Sequence, residues 1–113
     1  MSSVSTHVLD TAHGLPAAGM RVTLESSVAD GWIRRAAATT NADGRASDLL
    51  DTGVTLGPGV YHLIFETGAW FAEQRRTCFY PQVTVTFQIA DSDDHYHVPL
   101  LLSPFGYSTY RGS

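Results

Sequence analysis

Turn-forming residues punctuate this chain at short intervals, and the stretches between them alternate apolar with polar side chains. The punctuation runs through His13-Gly14 with Pro16, Asp30-Gly31, Asn41–Gly44, Gly57-Pro58-Gly59, Asp91–Asp94 and Ser103–Gly106. Alternation with a period of two puts every second side chain on one face of an extended strand. The clearest case is Val83–Ala90, with Val83, Val85, Phe87 and Ile89 set against Thr84, Thr86 and Gln88. Met20–Ser26 repeats the pattern, and Tyr61, Leu63 and Phe65 share one parity within Val60–Glu66. Further strands are predicted at Ser5–Thr11, Trp32–Thr40, Ser47–Asp51 (short and weak), His95–Leu102 and Tyr107 to about Arg111. Gly68–Gln74 is the one stretch that reads as a helix. Seven to eight short strands with one short helix define an all-β, two-sheet sandwich. Pro99 sits awkwardly in this scheme: lacking an N–H, it should turn the His95–Leu102 run into an edge strand or introduce a bulge.

With 113 residues and 43% apolar content, residues 1–113 are expected to form one domain with an ordinary core. Charge excludes some functions. All seven cations are arginines, the formal net charge is −4, and no dense basic patch exists to track nucleic-acid phosphates. No apolar run approaches the ~20 residues needed to cross a bilayer, and the start lacks the pattern of a secretory signal, so a cytoplasmic, membrane-free protein is expected. Cys78 is the single cysteine, too few for an internal disulfide or a Cys-based zinc site, and it reads as a packed residue. Phosphate-loop, dinucleotide and nucleophile-elbow motifs are all missing.

Histidine and arginine are what remain for chemistry. His95 and His97 lie two apart on a predicted strand, hence on one face with Cβ atoms about 7 Å apart. That spacing suits an acid–base pair or a metal. Together with His7, in the first strand, they also make up the three imidazoles of a catalytic zinc set. His13 and His62 read as structural. Arg45, at the exit of the Asn41–Gly44 turn, would by itself be a solvated loop residue, and the tail Tyr110–Ser113 a frayed end.

The opening STHVLDTAHGLPAAGMRVTLE resembles the first signature of the 5-hydroxyisourate hydrolases, the enzymatic relatives of transthyretin. The ending HYHVPLLLSPFGYSTYRGS resembles the second, including the terminal YRGS that the hormone carriers lack; DGW, NADGR, VYHLIFETGAWF and FYPQVTVTF are similar in between. One departure is Phe105, where the family commonly has tyrosine. The resemblance implies a transthyretin-like sandwich of two four-stranded sheets, assembled as a homotetramer, a dimer of dimers, that works without a cofactor or required metal. It implies a hydrolase that opens the cyclic amide of 5-hydroxyisourate, a product of urate oxidation. The product would be 2-oxo-4-hydroxy-4-carboxy-5-ureidoimidazoline. By position, His7, Arg45, His97 and Ser113 match catalytic residues, and Tyr110, Arg111 and Gly112 join them in binding substrate; the role of His95 is open. In the implied fold the first strand, the strand after Arg45, the His95–Leu102 strand and the last strand are neighbours in one sheet. The alternative is a transthyretin-like carrier of small molecules without catalysis.

Overall fold

The computed structural model describes residues 3–47, 49, 56–90 and 94–113. The strands are β1 (Ser3–Asp10), β2 (Leu15–Pro16), β3 (Arg21–Val28), β4 (Gly31–Thr39), β5 (Arg45–Ala46), β6 (Gly59–Phe65), β7 (Val83–Ile89), β8 (His95–His97), β9 (Leu100–Ser103) and β10 (Gly106–Thr109), and the helix α1 (Thr67–Glu73) follows β6. They form two sheets. One is antiparallel, in the order β4-β3-β6-β7; the other has six segments, with β10-β9-β1-β2 as its path and β5 and β8 also paired to β1.

The six segments occupy four strand positions. Along one side of β1 run β8 and then β9, both parallel to it; along the other run β5 and β2, both antiparallel. The expected pair of four-stranded sheets is therefore present, with two positions split into short pieces. A two-residue strand at Leu15–Pro16, within the expected first turn, is one of those pieces. The expected Ser47–Asp51 strand lies mostly outside the described residues, and the pairing that exists there begins earlier, at Arg45–Ala46.

Alternation explains the layering. Val4, Thr6 and Val8 of β1, Val22 and Leu24 of β3, Leu63 and Phe65 of β6, Val83 and Ile89 of β7, and Leu100 and Leu102 of β9 are all buried between the sheets. Each large apolar side chain so buried is worth about 1.5–3 kcal/mol. The opposite parity of β1, carrying Ser5 and His7, therefore lies on the outer face of its sheet.

Helix α1 fastens this arrangement at one end. Trp70 and Phe71 enter the core, and Trp70 Nε1 donates to the Ala18 carbonyl at 2.7 Å. Just beyond the helix, Arg76 binds buried Asp10, with Nη1 at 2.8 Å from Oδ2, and its guanidinium lies over the Phe71 ring. Burial is the largest influence on the Asp10 carboxyl and pushes its pKa up. The Arg76 bonds, the His13 backbone N–H and both neighbouring positive charges outweigh it and hold the carboxyl below its usual range. This ion pair pins the end of the strand that carries His7.

Pro99 breaks the His95–Leu102 run into β8 and β9, as its missing donor requires, but produces neither a bulge nor an edge. The offset between β1 and its partner is the same on both sides of the break, from Ser3–His95 to Asp10–Leu102, so Pro99 falls opposite His7 with the register intact. On the far side β10 covers β9 and the tail covers β8, through a His97–Gly112 bridge in which Gly112 N–H donates to the His97 carbonyl at 2.8 Å.

Candidate functional site

Three pairings bring distant parts of the sequence onto one outer sheet face. Ser5 of β1 lies beside His97 of β8, and His97 beside Gly112 of the tail. Two residues along β1, His7 lies beside Arg45 of β5. Side chains in register across adjacent strands, and those two apart along one strand, share a face. His7, His97, Arg45 and the end of the tail thus meet there, although they come from four segments.

Arg45 owes its position to the turn before it. Asn41 Oδ1 accepts from the backbone N–H groups of Asp43 at 2.9 Å and Arg45 at 3.0 Å, an Asx-type closure. Gly44 adopts φ +76°, and its carbonyl accepts from Val8 N–H at 2.8 Å, tying the turn to β1. The Asp43 carbonyl in turn accepts from His7 Nε2 at 2.8 Å. A carbonyl can only accept, so Nε2 carries a proton and Nδ1 is the basic nitrogen of a neutral His7 ring.

His97 is half-buried, and its Nδ1 lies 2.7 Å from Ser5 Oγ. Burial, first, and then the charge of Arg45 and those that His95 and His7 carry when protonated lower its pKa from the ordinary 6.5; only a hydrogen bond to the Ser5 backbone opposes them. His97 is therefore neutral and able to take a proton at neutral pH. Gly112 packs directly on its ring: a Cβ there would stand 2.4 Å from Cδ2 and 3.2 Å from Cγ. Substituting Gly112→Ala should displace either the imidazole or the tail, and we expect kcat to fall about 10- to 100-fold with little change in melting temperature; steady-state assay and thermal unfolding of the variant check both.

Two expected members stand elsewhere. Arg111 points away from the histidines: its guanidinium lies 4.6 Å over the Tyr96 ring, and Nη2 donates to Asp94 at 3.0 Å. Tyr96 is buried on the core side, so Arg111 closes the open edge of the sandwich. A cavity of about 320 Å³ sits at that edge, lined by Val85, Phe87, Tyr96, Val98 and Arg111 among others. It holds none of the histidines, which lie on the outer face of the sheet. Tyr110 is exposed and contributes to the cavity rim, while Ser113 extends exposed from the Gly112 bridge beside His97.

The three imidazoles do not gather around a point as zinc ligands would. His95 Nε2 and His97 Nδ1 both turn onto Ser5 Oγ, at 2.9 and 2.7 Å, and His7 turns onto a carbonyl. Among the described residues, no group of three His, Cys, Asp or Glu side chains is arranged to hold a metal. Ser5 is the residue that sequence reasoning missed, although its parity with His7 was a usable signal. His62 is structural, as expected: Trp32 stacks on it at 3.7 Å and Glu25 accepts from its Nε2 at 2.6 Å.

A two-sheet sandwich whose outer face brings histidines and an arginine from separate segments together defines a transthyretin-like β-sandwich protein. The chain belongs to the HIUase/Transthyretin family, whose profile matches residues 4–112. It is 44% identical over 110 residues to a 5-hydroxyisourate hydrolase of Salmonella dublin, covering 97% of this chain and 80% of that protein. The solved 5-hydroxyisourate hydrolase of Klebsiella pneumoniae superposes with a TM-score of 0.86 at 40% identity, covering 98% and 99% of the two chains. Sea bream transthyretin, solved with thyroxine, superposes at 0.89 with 31% identity, covering 97% and 94%. Similarity of fold is thus nearly the same for the hydrolase and the transthyretin, 0.86 against 0.89, and similarity of sequence is greater for the hydrolases.

Proposed function

We propose that this protein is a hydrolase that opens the cyclic amide of 5-hydroxyisourate in urate degradation. The observation that carries the reading is the meeting of His7, Arg45, His97 and the tail on one sheet face, in a chain 44% identical to an enzyme of that name. Hydrolysis of a cyclic amide requires an activated water, a stabilised oxyanion and a protonated leaving nitrogen. In our reading His97 takes the proton from water. His7, with its basic Nδ1, holds that water or serves as the second acid–base group. The planar fork of Arg45 binds the carbonyl oxygens of the oxidised purine ring, where negative charge develops. Ser113 closes the pocket beside His97, with Gly112 shaping it; Tyr110 and Arg111 act at the sheet edge, where Arg111 holds the tail in place through Tyr96 and Asp94.

A sheet face is open to water, and a second copy laid against it would make a cleft. Homotetramer assembly, as a dimer of dimers, is our reading from the family, and exposed Phe79, Phe105, Tyr107 and Tyr110 are side chains that such association would cover. No helix among the described residues is long and apolar enough to cross a membrane, and we place the enzyme in the cytoplasm, where the free Cys78 would remain reduced.

The test generates 5-hydroxyisourate with urate oxidase and follows its ultraviolet absorbance. Decay accelerated by catalytic amounts of the protein supports the reading, whereas unchanged decay with saturable binding of an aromatic ligand would favour the carrier. Because His97 must be neutral to accept a proton and its pKa is lowered, kcat/KM should be level at neutral pH. It should then fall with one-proton dependence at a pH below 6.5. A pH–rate profile with its acid limb above that value would contradict the assignment.

A further inference from the structure

The side chains behind His97 form a continuous hydrogen-bonded chain that ends at the surface. Ser5 Oγ lies 2.7 Å from His97 Nδ1 and 2.9 Å from His95 Nε2, and Ser3 Oγ is hydrogen-bonded to His95 Nδ1. Ser5 is buried, with 6% of its surface exposed, whereas His95 is exposed. The two rings are near-parallel, at 15°, with centroids 6.5 Å apart, so the serine hydroxyl spans the gap between them.

A hydroxyl has one proton to give, and this one faces two ring nitrogens. With both rings neutral and the hydroxyl proton directed at one of them, one nitrogen donates to Oγ while Oγ donates to the other. In that arrangement the tautomers of His97 and His95 are linked. When His97 carries its proton on Nδ1, its Nε2 is a base, Ser5 donates to His95 Nε2, and His95 Nδ1 donates to Ser3. When every bond in the chain reverses, His97 Nε2 carries the proton and is an acid.

We propose that Ser5, His95 and Ser3 are a proton relay that switches His97 between base and acid without leaving a charge on its ring. The inference rests on the reading of His97 as the group that takes the proton from water. In the forward step the water oxygen bonds to the substrate carbonyl carbon and its proton passes to His97 Nε2. The Nδ1 proton moves to Ser5 Oγ, the Ser5 hydroxyl proton to His95 Nε2, and the His95 Nδ1 proton to Ser3 and on to solvent. The steps run in reverse as the C–N bond breaks: His97 Nε2 gives its proton to the leaving nitrogen, and solvent restores one through Ser3. Protons balance and nothing is oxidised. A relay fits this surrounding, because an imidazolium at His97 would be half-buried and opposed by the charge of Arg45. Ser5 and His95 are positioning residues, since they act through His97.

Kinetics of the assembled protein in H2O–D2O mixtures test the relay with Ser5→Ala, Ser5→Thr and His95→Gln. Thr restores the hydroxyl, whereas Gln at the exposed position 95 keeps a hydrogen bond but cannot pass a proton between two ring nitrogens. The expected result is a curved proton inventory in the native protein, showing several protons in flight. S5A and H95Q should give a linear inventory and a kcat reduced about 10- to 100-fold with KM unchanged, and S5T should recover both readouts. A curved inventory retained in S5A and H95Q, or kcat within twofold of native in both, would overturn the relay. His97→Ala separates this failure from that of the underlying reading: if it keeps native turnover, His97 is not the base at all.

Discussion

Replacing His97 or Arg45 by alanine should lower kcat/KM for 5-hydroxyisourate at least about 100-fold while the fold and assembly survive. His97 is half-buried on the outer sheet face, where its removal opens no space in the core, and Arg45 is exposed. Neither loss should disturb the packing between the sheets. The two variants should differ in character. His97→Ala removes a group needed as a proton moves, so kcat should carry the loss. Arg45→Ala removes a charge that meets the substrate oxygens in both ground and transition states, so KM should rise as kcat falls. Circular dichroism, light scattering and steady-state rates on the same preparations provide the check, and near-native turnover in either variant would remove that residue from the mechanism.

Gly44→Ala should be among the most destabilising single-methyl changes in the chain, costing about 2–4 kcal/mol. Its backbone has φ +76°, and an added Cβ would stand 2.4 Å from the Val8 carbonyl oxygen and 3.1 Å from the Ala17 nitrogen. That carbonyl belongs to β1 and accepts from Ala17 N–H at 2.9 Å, so the strand itself would have to move. The turn that aims Arg45 would move with it, and activity should fall together with stability. Gly14 supplies the control: φ is +69° there, but nothing lies within 4 Å of an added Cβ, so Gly14→Ala should cost only about 1 kcal/mol for the backbone conformation. Thermal unfolding of the two variants should separate them by several degrees, and equal melting points would refute the steric argument.

What could be read in the sequence, and what could not, divides by the range of the interaction. Val83–Ile89 was readable because alternation is a local property of a half-buried strand, and the Asn41–Gly44 turn because its side chain and glycine do local work. Pro99 was expected to make an edge strand or a bulge, and instead it splits the run into two segments of unchanged register. The choice between a bulge, an edge and an unbroken register depends on what β1 and the tail place beside it, and neither is near in sequence. The same limit hid Ser5, whose importance comes from lying beside His97 in a parallel pairing of chain ends. Arg111 was expected beside its neighbours in the tail; on an extended chain adjacent residues point to opposite faces, and its guanidinium found Tyr96 and Asp94 on the other side. The grouping of His7, Arg45, His97 and the tail came from resemblance to a family, since no spacing along the chain brings four separate segments together.

Central to this account is that one outer sheet face, rather than the cavity at the sandwich edge, holds the substrate. A crystal structure of the protein with a ring-intact, non-hydrolysable analogue of the oxidised purine tests this most directly. The account predicts the analogue against His7, Arg45 and His97, with an oxygen on the Arg45 guanidinium and the end of the tail beside it. An analogue seated instead between β7 and Arg111, with the histidine face empty, would contradict it.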